Sequence, residues 1–305
     1  MRRDVYIEGY RKYPIYLREY YPDSDIKGAI LILHGMAEHG ERYESFSNFL
    51  AERGYIVYVP DHRYHGRSIR KGDQLGIVRN TFWSDIIEDV RIIVNRIKTE
   101  NNISSVSLVG HSMGSFLTRK YLMDYGESIE RAVLIGTGMT NSLATKIINS
   151  VGVFASNVLS LLNSRKRRDS LSNAVFKPFN KEFKPNRTTC DWLSRENEVV
   201  DEYIKDRFCG FSYSANFYGI LVRGISEVSK TENISRTVKI PILIVSGAED
   251  PVGGMGKDVE RLYDFFISKG YNAVMKLYGG ARHELLNETN KKEVYQDVYN
   301  WFTIN

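Results

Sequence analysis

Ser112 stands in the stretch GHSMG (110–114), with a glycine two positions away on each side. An apolar, β-branched run precedes it (105–110) and a helical pattern follows it (115–126). Strand, turn and helix are the setting in which G-x-S-x-G works as a nucleophile elbow, a strained corner that lifts the serine Oγ clear of the sheet edge. Side chains at Gly110 or Gly114 would collide with the neighbouring strand and helix. The helix start behind the serine would aim backbone N–H groups at a negative oxygen formed beside it. Alone the pattern is a weak signal, and its bland alternative is a tight turn with an idle serine.

A serine hydroxyl needs a base, and the base needs an orienting carboxylate. Behind such an elbow the acid and then the histidine follow in chain order. Of six histidines (34, 39, 62, 65, 111 and 283) only His283 follows Ser112, just after the strand pattern of VMKLYGGAR. The expected acid is Asp250 in ILIVSGAEDPVG, with Glu249 beside it as the alternative. The oxyanion hole needs two backbone donors. The amide of Met113 follows the nucleophile, and that of Met36 follows the strand at 28–35. His34, His39 and His62 lack metal-ligand spacing with acids or cysteines, so no metal and no cofactor are expected. His34 and His65 read as loop-holding hydrogen-bond groups.

These residues need a scaffold. Segments 5–9 and 13–22 read as an opening β hairpin, 28–35 and 55–61 as buried strands, and 105–110, 131–138, 240–250 and 272–280 as further strands. Helical spacing covers 42–54, a stretch capped by Asn80 or Thr81 and running past Ile97, 115–126, 256–269 and 291–303. That alternation predicts an α/β fold: a doubly wound, mostly parallel eight-stranded sheet with helices on both faces. The rhythm stops at 139 and resumes at 239. Residues 1–138 and 239–305 are therefore expected to form the core, and 139–238 an inserted, mainly helical cap.

Bulk properties agree with a globular chain. The 305 residues are 42% hydrophobic and 26% charged, with a net charge of +5, which demands no nucleic-acid partner. Two cysteines cannot make a disulfide framework, and no run reaches the length of a membrane span or a signal h-region, so a cytoplasmic protein is expected.

Five motifs in order, HGMAEH, DHRYHGRS, GHSMGS, SGAEDPVG and GARHELLNE, resemble those of the monoacylglycerol lipase and lysophospholipase-type serine hydrolases of the α/β-hydrolase superfamily. The cap stretch 179–211 is similar too, and the resemblance spans about residues 10–303. It implies Ser112, Asp250 and His283 as catalytic triad, the Met36 and Met113 amides as oxyanion hole, and amphiphilic acyl esters as substrates. Tyr64 departs from it, standing where that group has glycine, which puts specificity in question but not the chemistry.

Substrate contacts are expected from Tyr64, His111, Phe154 and Cys209. The run 139–164 reads as an apolar lid over an acyl tunnel, with transient membrane contact through the cap and Arg165–Arg168 at lipid headgroups. A packed helix beside a solvated charge run is the bland alternative. An aminopeptidase of the same fold would need an acidic amine-binding patch, for which Glu196, Glu198, Asp201 and Glu202 are the candidates. An acyltransferase would share the triad, and a non-catalytic binding module would not need all three groups.

Overall fold

The structure, a computed structural model, describes residues 1–139 and 166–303. Eight strands form one sheet in the order β1-β2-β4-β3-β5-β6-β7-β8. The opening hairpin, β1 (Arg2–Glu8) and β2 (Pro14–Tyr20), is antiparallel, and β2 also runs antiparallel to β4 (Tyr55–Pro60). All other neighbours are parallel: β3 (Gly28–Leu33), β5 (Val106–His111), β6 (Ile129–Ile135), β7 (Ile242–Gly247) and β8 (Ala273–Tyr278). Every residue of β4, β5 and β7 is buried, the condition that gave these strands continuous apolar runs in place of alternation.

Two apolar layers cover the sheet. One holds Ile86, Val90, Ile93, Val94 and Ile97 of helix α2 (Phe82–Asn101), with Leu117 and Tyr121 of α3 (Met113–Tyr125). The other holds Phe46 and Leu50 of α1 (Glu44–Ala51) against Tyr295, Val298 and Phe302 of the C-terminal helix Lys291–Thr303. Thr81 does occupy the cap position of α2, but its hydroxyl bonds the Asp85 carboxylate and not a backbone N–H. The predicted helix at 42–54 divides into a 3₁₀ turn (Gly40–Tyr43) and α1.

Between β6 and β7 the described residues include α4 (Asp169–Phe176), α5 (Asn197–Lys205), α6 (Ala215–Ser229) and the short α7 (Thr231–Ile234), joined by a 3₁₀ turn (Phe179–Phe183) and irregular segments. No described helix is long and apolar enough to cross a membrane. In an open α/β sheet ligands bind beyond the carboxyl ends of the strands. The loops after β3, β5, β7 and β8 carry Met36, Ser112, Asp250 and His283 there.

Candidate active site

The elbow is built by close approach. A Cβ at Gly110 would strike Thr118 and the Gly114 backbone, and one at Gly114 would strike the Leu33 backbone. With both positions bare, β5 turns into α3 through Ser112 at φ 52°, ψ −119°. Such a backbone costs about 1–3 kcal/mol and persists only where its surroundings hold it. The Ser112 N–H donates to Ile135 O at 2.9 Å, and the Ser112 carbonyl accepts the Ser115 N–H at 2.9 Å and its Oγ at 2.7 Å.

His283 Nδ1 lies 3.0 Å from each carboxylate oxygen of Asp250. That carboxylate also accepts the Val252 N–H (2.8 Å) and the Ser246 hydroxyl (3.2 Å). Burial opposes its charge, but the neighbouring imidazole and these hydrogen bonds outweigh burial and hold its carboxyl below the usual carboxylate range. With Nδ1–H given to Asp250, Nε2 keeps the lone pair a base needs. Glu249, the alternative acid, is exposed. Ser112 and His283 line one cavity.

A second buried polar group stands beside this pair. Glu38 accepts the Tyr43 hydroxyl (2.8 Å) and the Gly35 N–H (2.5 Å), and His111 Nδ1 lies 3.1 Å from it. Burial opposes protonation of His111, yet the bond to Glu38 and that residue's charge raise its pKa. Burial likewise opposes ionisation of Glu38, but His111 and Arg42 hold its carboxyl well below the usual range. His111 Nε2 reaches the His283 carbonyl at 3.3 Å. Arg42 grips Glu284 with two bonds (2.5 and 2.6 Å) and Glu38 with one (2.9 Å).

Two chambers meet at Ser112. One is lined by Glu38, His111, His283, Glu284 and Tyr203. The other is lined by Met113, Phe116, Val175, Phe179, Leu221 and Ile225. Met36, Phe176 and Trp192 border both. Trp192 lies 5.1 Å from the His283 ring, centroid to centroid. Its segment is bound to the His283 loop: Glu284 N–H donates to Leu193 O (2.8 Å), and Arg282 donates to Asp191 O (2.6 Å).

Among the predicted substrate contacts, His111 lines the polar chamber. Tyr64 and Cys209 line neither chamber. Tyr64 is buried between the rings of Tyr13 (5.2 Å) and Phe82 (6.2 Å), so it does not narrow the entrance. Its φ of +65° is the left-handed conformation that glycine adopts freely, the physical reason a glycine suits this position. Cys209 packs with Phe179, Trp192 and Tyr203, and burial pushes its thiol far up. Phe154 and the apolar run 147–162 lie outside the described residues, as does Arg165. Asp201 pairs with Arg187, and neither it nor Glu196, Glu198 or Glu202 lines a chamber.

His39, Asp206 and Cys209 bring one ligand atom each within 4.8 Å of one another. As placed, His39 Nε2 sits 2.8 Å from Asp206 Oδ2, the span of a hydrogen bond with its proton between them. Burial pushes the Cys209 thiol up, and the His39–Asp206 bond links the core to the helical segment.

The polar chamber's acids and Arg42 were not foreseen as site residues. The four-residue spacing of Glu38 and Arg42 in HGMAEHGERY is their only local signal. Residues 24–290 match the family described as serine aminopeptidase, S33. A monoacylglycerol lipase of Mycolicibacterium smegmatis is 27% identical, over 92% of this chain and 89% of its own length. A monoglyceride lipase homolog of monkeypox virus is 26% identical, over 94% and 93%. A solved carboxyl esterase from Bacillus coagulans, in complex with glycerol, superposes with TM-score 0.90 at 22% identity, covering 99% and 97%. These relatives agree with the resemblance drawn from the five motifs, and the chain belongs to the serine aminopeptidase S33 family of α/β-hydrolase proteins.

Proposed function

We propose that the chain is a serine carboxylic-ester hydrolase acting on acyl esters of the monoacylglycerol or lysophospholipid type. The observation that carries this reading is the meeting of an apolar and a polar chamber at Ser112. An acyl chain suits the first and a hydroxylated leaving group the second. His283 takes the Ser112 proton as Oγ attacks the ester carbonyl. Asp250 stabilises the imidazolium, and the Met36 and Met113 amides receive the carbonyl oxygen as it becomes an oxyanion. His283 then protonates the departing alcohol and activates the water that releases the acid. This route needs no cofactor, and the insertion at 139–238 is read as a cap, its described residues Phe176 and Trp192 bordering both chambers. Two free thiols, Cys190 and Cys209, suit a cytoplasmic setting.

The peptidase reading is disfavoured by charge. The two carboxylates in the polar chamber are already matched by Arg42 and His111, which leaves no open anion for a substrate ammonium. The test is a panel of p-nitrophenyl esters from acetate to palmitate, run beside a monoacylglycerol, a lysophospholipid and an aminoacyl anilide. Ester turnover with stoichiometric fluorophosphonate labelling is expected, and Ser112→Ala should abolish both while keeping the circular-dichroism spectrum. Preference for the anilide would overturn the proposal.

A further inference from the structure

We propose that the helical insertion holds the oxyanion hole in shape, with Tyr213 and Tyr203 acting as positioning residues for the Met36 amide through Ala37. This rests on the reading of Met36 as an oxyanion donor.

Ala37 is fully buried at φ +54°, a left-handed backbone that an alanine adopts at a cost. Three consecutive peptide units around it are pinned. In the first, Gly35 O accepts from His34 Nδ1 at 2.7 Å, while the His62 N–H donates to His34 Nε2 at 2.9 Å. A backbone N–H can only donate, so Nε2 is the acceptor and Nδ1 carries the proton. The Gly35 carbonyl is thereby fixed, and the Met36 N–H of the same planar unit points the opposite way.

The next two units are held from the insertion. The Ala37 N–H donates to Tyr213 Oη at 2.7 Å. Ala37 O accepts the Tyr203 hydroxyl at 3.1 Å and the Gly210 N–H at 2.9 Å. Tyr213 Oη in turn lies 2.6 Å from His65 Nε2, and His65 Nδ1 lies 3.0 Å from Arg63 O. Because a carbonyl only accepts, the proton of neutral His65 sits on Nδ1. Nε2 then accepts the Tyr213 O–H, and the tyrosine oxygen is left to accept from Ala37. The relay runs one way, and its centre is locked: Tyr213 is fully buried, its ring stacked on Phe217 at 3.6 Å.

Removing the hydroxyls frees Ala37 to relax toward negative φ, which swings the Met36 amide off its target. A donor displaced by about 1 Å costs on the order of 10- to 100-fold in rate. Tyr213→Phe keeps the stacked ring and removes only the relay. Its kcat on p-nitrophenyl butyrate is expected to fall ~10- to 100-fold, with KM within about twofold, and fluorophosphonate labelling to slow in step while reaching the same stoichiometry. Ala37→Gly, which takes positive φ without strain, is expected to restore part of the lost kcat in the Tyr213→Phe background. A folded Tyr213→Phe with unchanged kcat, or a double variant slower than the single, would overturn the inference. If Tyr213→Phe does not fold, Tyr203→Phe is read instead, with a kcat loss of about 3- to 10-fold expected and an unchanged kcat counting against the inference. A wild-type chain that neither hydrolyses esters nor labels would remove the underlying function reading, an outcome distinct from both.

Discussion

Asp250 accepts hydrogen bonds from His283, Val252 and Ser246 in a fully buried setting. The Val252 N–H can only donate and keeps an oxygen at its position, whereas the Ser246 hydroxyl can turn to accept, so an amide NH2 would sit at the other position, 3.0 Å from Nδ1. Asp250→Asn would set an amide NH2 against His283 Nδ1 or force the ring to accept there. Either way the proton moves to Nε2, the atom proposed to take a proton from Ser112. The expected loss in kcat is ~10⁴-fold with KM little changed and the fold intact. Initial rates on the best ester of the panel, with a circular-dichroism control, check this. A variant retaining a tenth of wild-type kcat would mean that Asp250 does not set the tautomer.

The loop after β4 shows how an element can be misread from one residue. Tyr64 departs from the family glycine in a loop near the strand ends, which put specificity in question. Its ring instead fills the core between Tyr13 and Phe82. Tyr64→Gly relieves a left-handed backbone worth about 1–3 kcal/mol but empties an aromatic site worth about 3–5 kcal/mol. Net destabilisation of about 2 kcal/mol is expected from the urea midpoint, with kcat/KM within about twofold because the ring touches neither chamber. A large change in kcat/KM would return Tyr64 to the site. The contrast defines what was legible in the chain. Strands β4, β5 and β7 were, because full burial on both faces leaves a near-continuous apolar signature. The order of Ser112, Asp250 and His283 was, because Ser112 and Asp250 follow such strands and His283 follows the last strand, β8. Glu284 and Arg42 were not, since they meet across 242 positions, and neither has a local pattern that names the other. Trp192 and Tyr213 were equally hidden, because the insertion has no sheet register to fix which side chains turn inward.

At the scale of the molecule, three buried histidines behind the loop after β3 make stability depend on pH. His34, His62 and His65 pack ring to ring, with His34 centred 4.1 Å from His62 and 5.2 Å from His65. Burial and mutual repulsion hold His34 well below its ordinary pKa and lower His62 to about 3. Burial lowers His65 to about 4, against the hydrogen bond to Arg63 O and the charges of Asp61 and Glu38. Folding thus holds all three toward the neutral form, whereas in the unfolded chain they titrate near 6.5. Below pH 6.5 the unfolded state therefore binds more protons, and stability present above that pH is lost as pH falls toward the folded-state values. Each group contributes about 1.4 kcal/mol per pH unit in that window. His111 carries the opposite sign, since its raised pKa adds stability that is full below 6.5 and fades only as pH rises through its folded value. It therefore does not offset the loss on the acid side. Guanidinium unfolding midpoints measured from pH 7 to 5 should fall ever more steeply, with a slope that grows toward an uptake of about three protons near pH 5. His65→Gln keeps a side-chain acceptor for the Tyr213 hydroxyl and should cut that slope by about one proton. A midpoint flat across this range would show that the cluster takes up protons while folded, and the neutral relay from His65 to Ala37 would then have no basis.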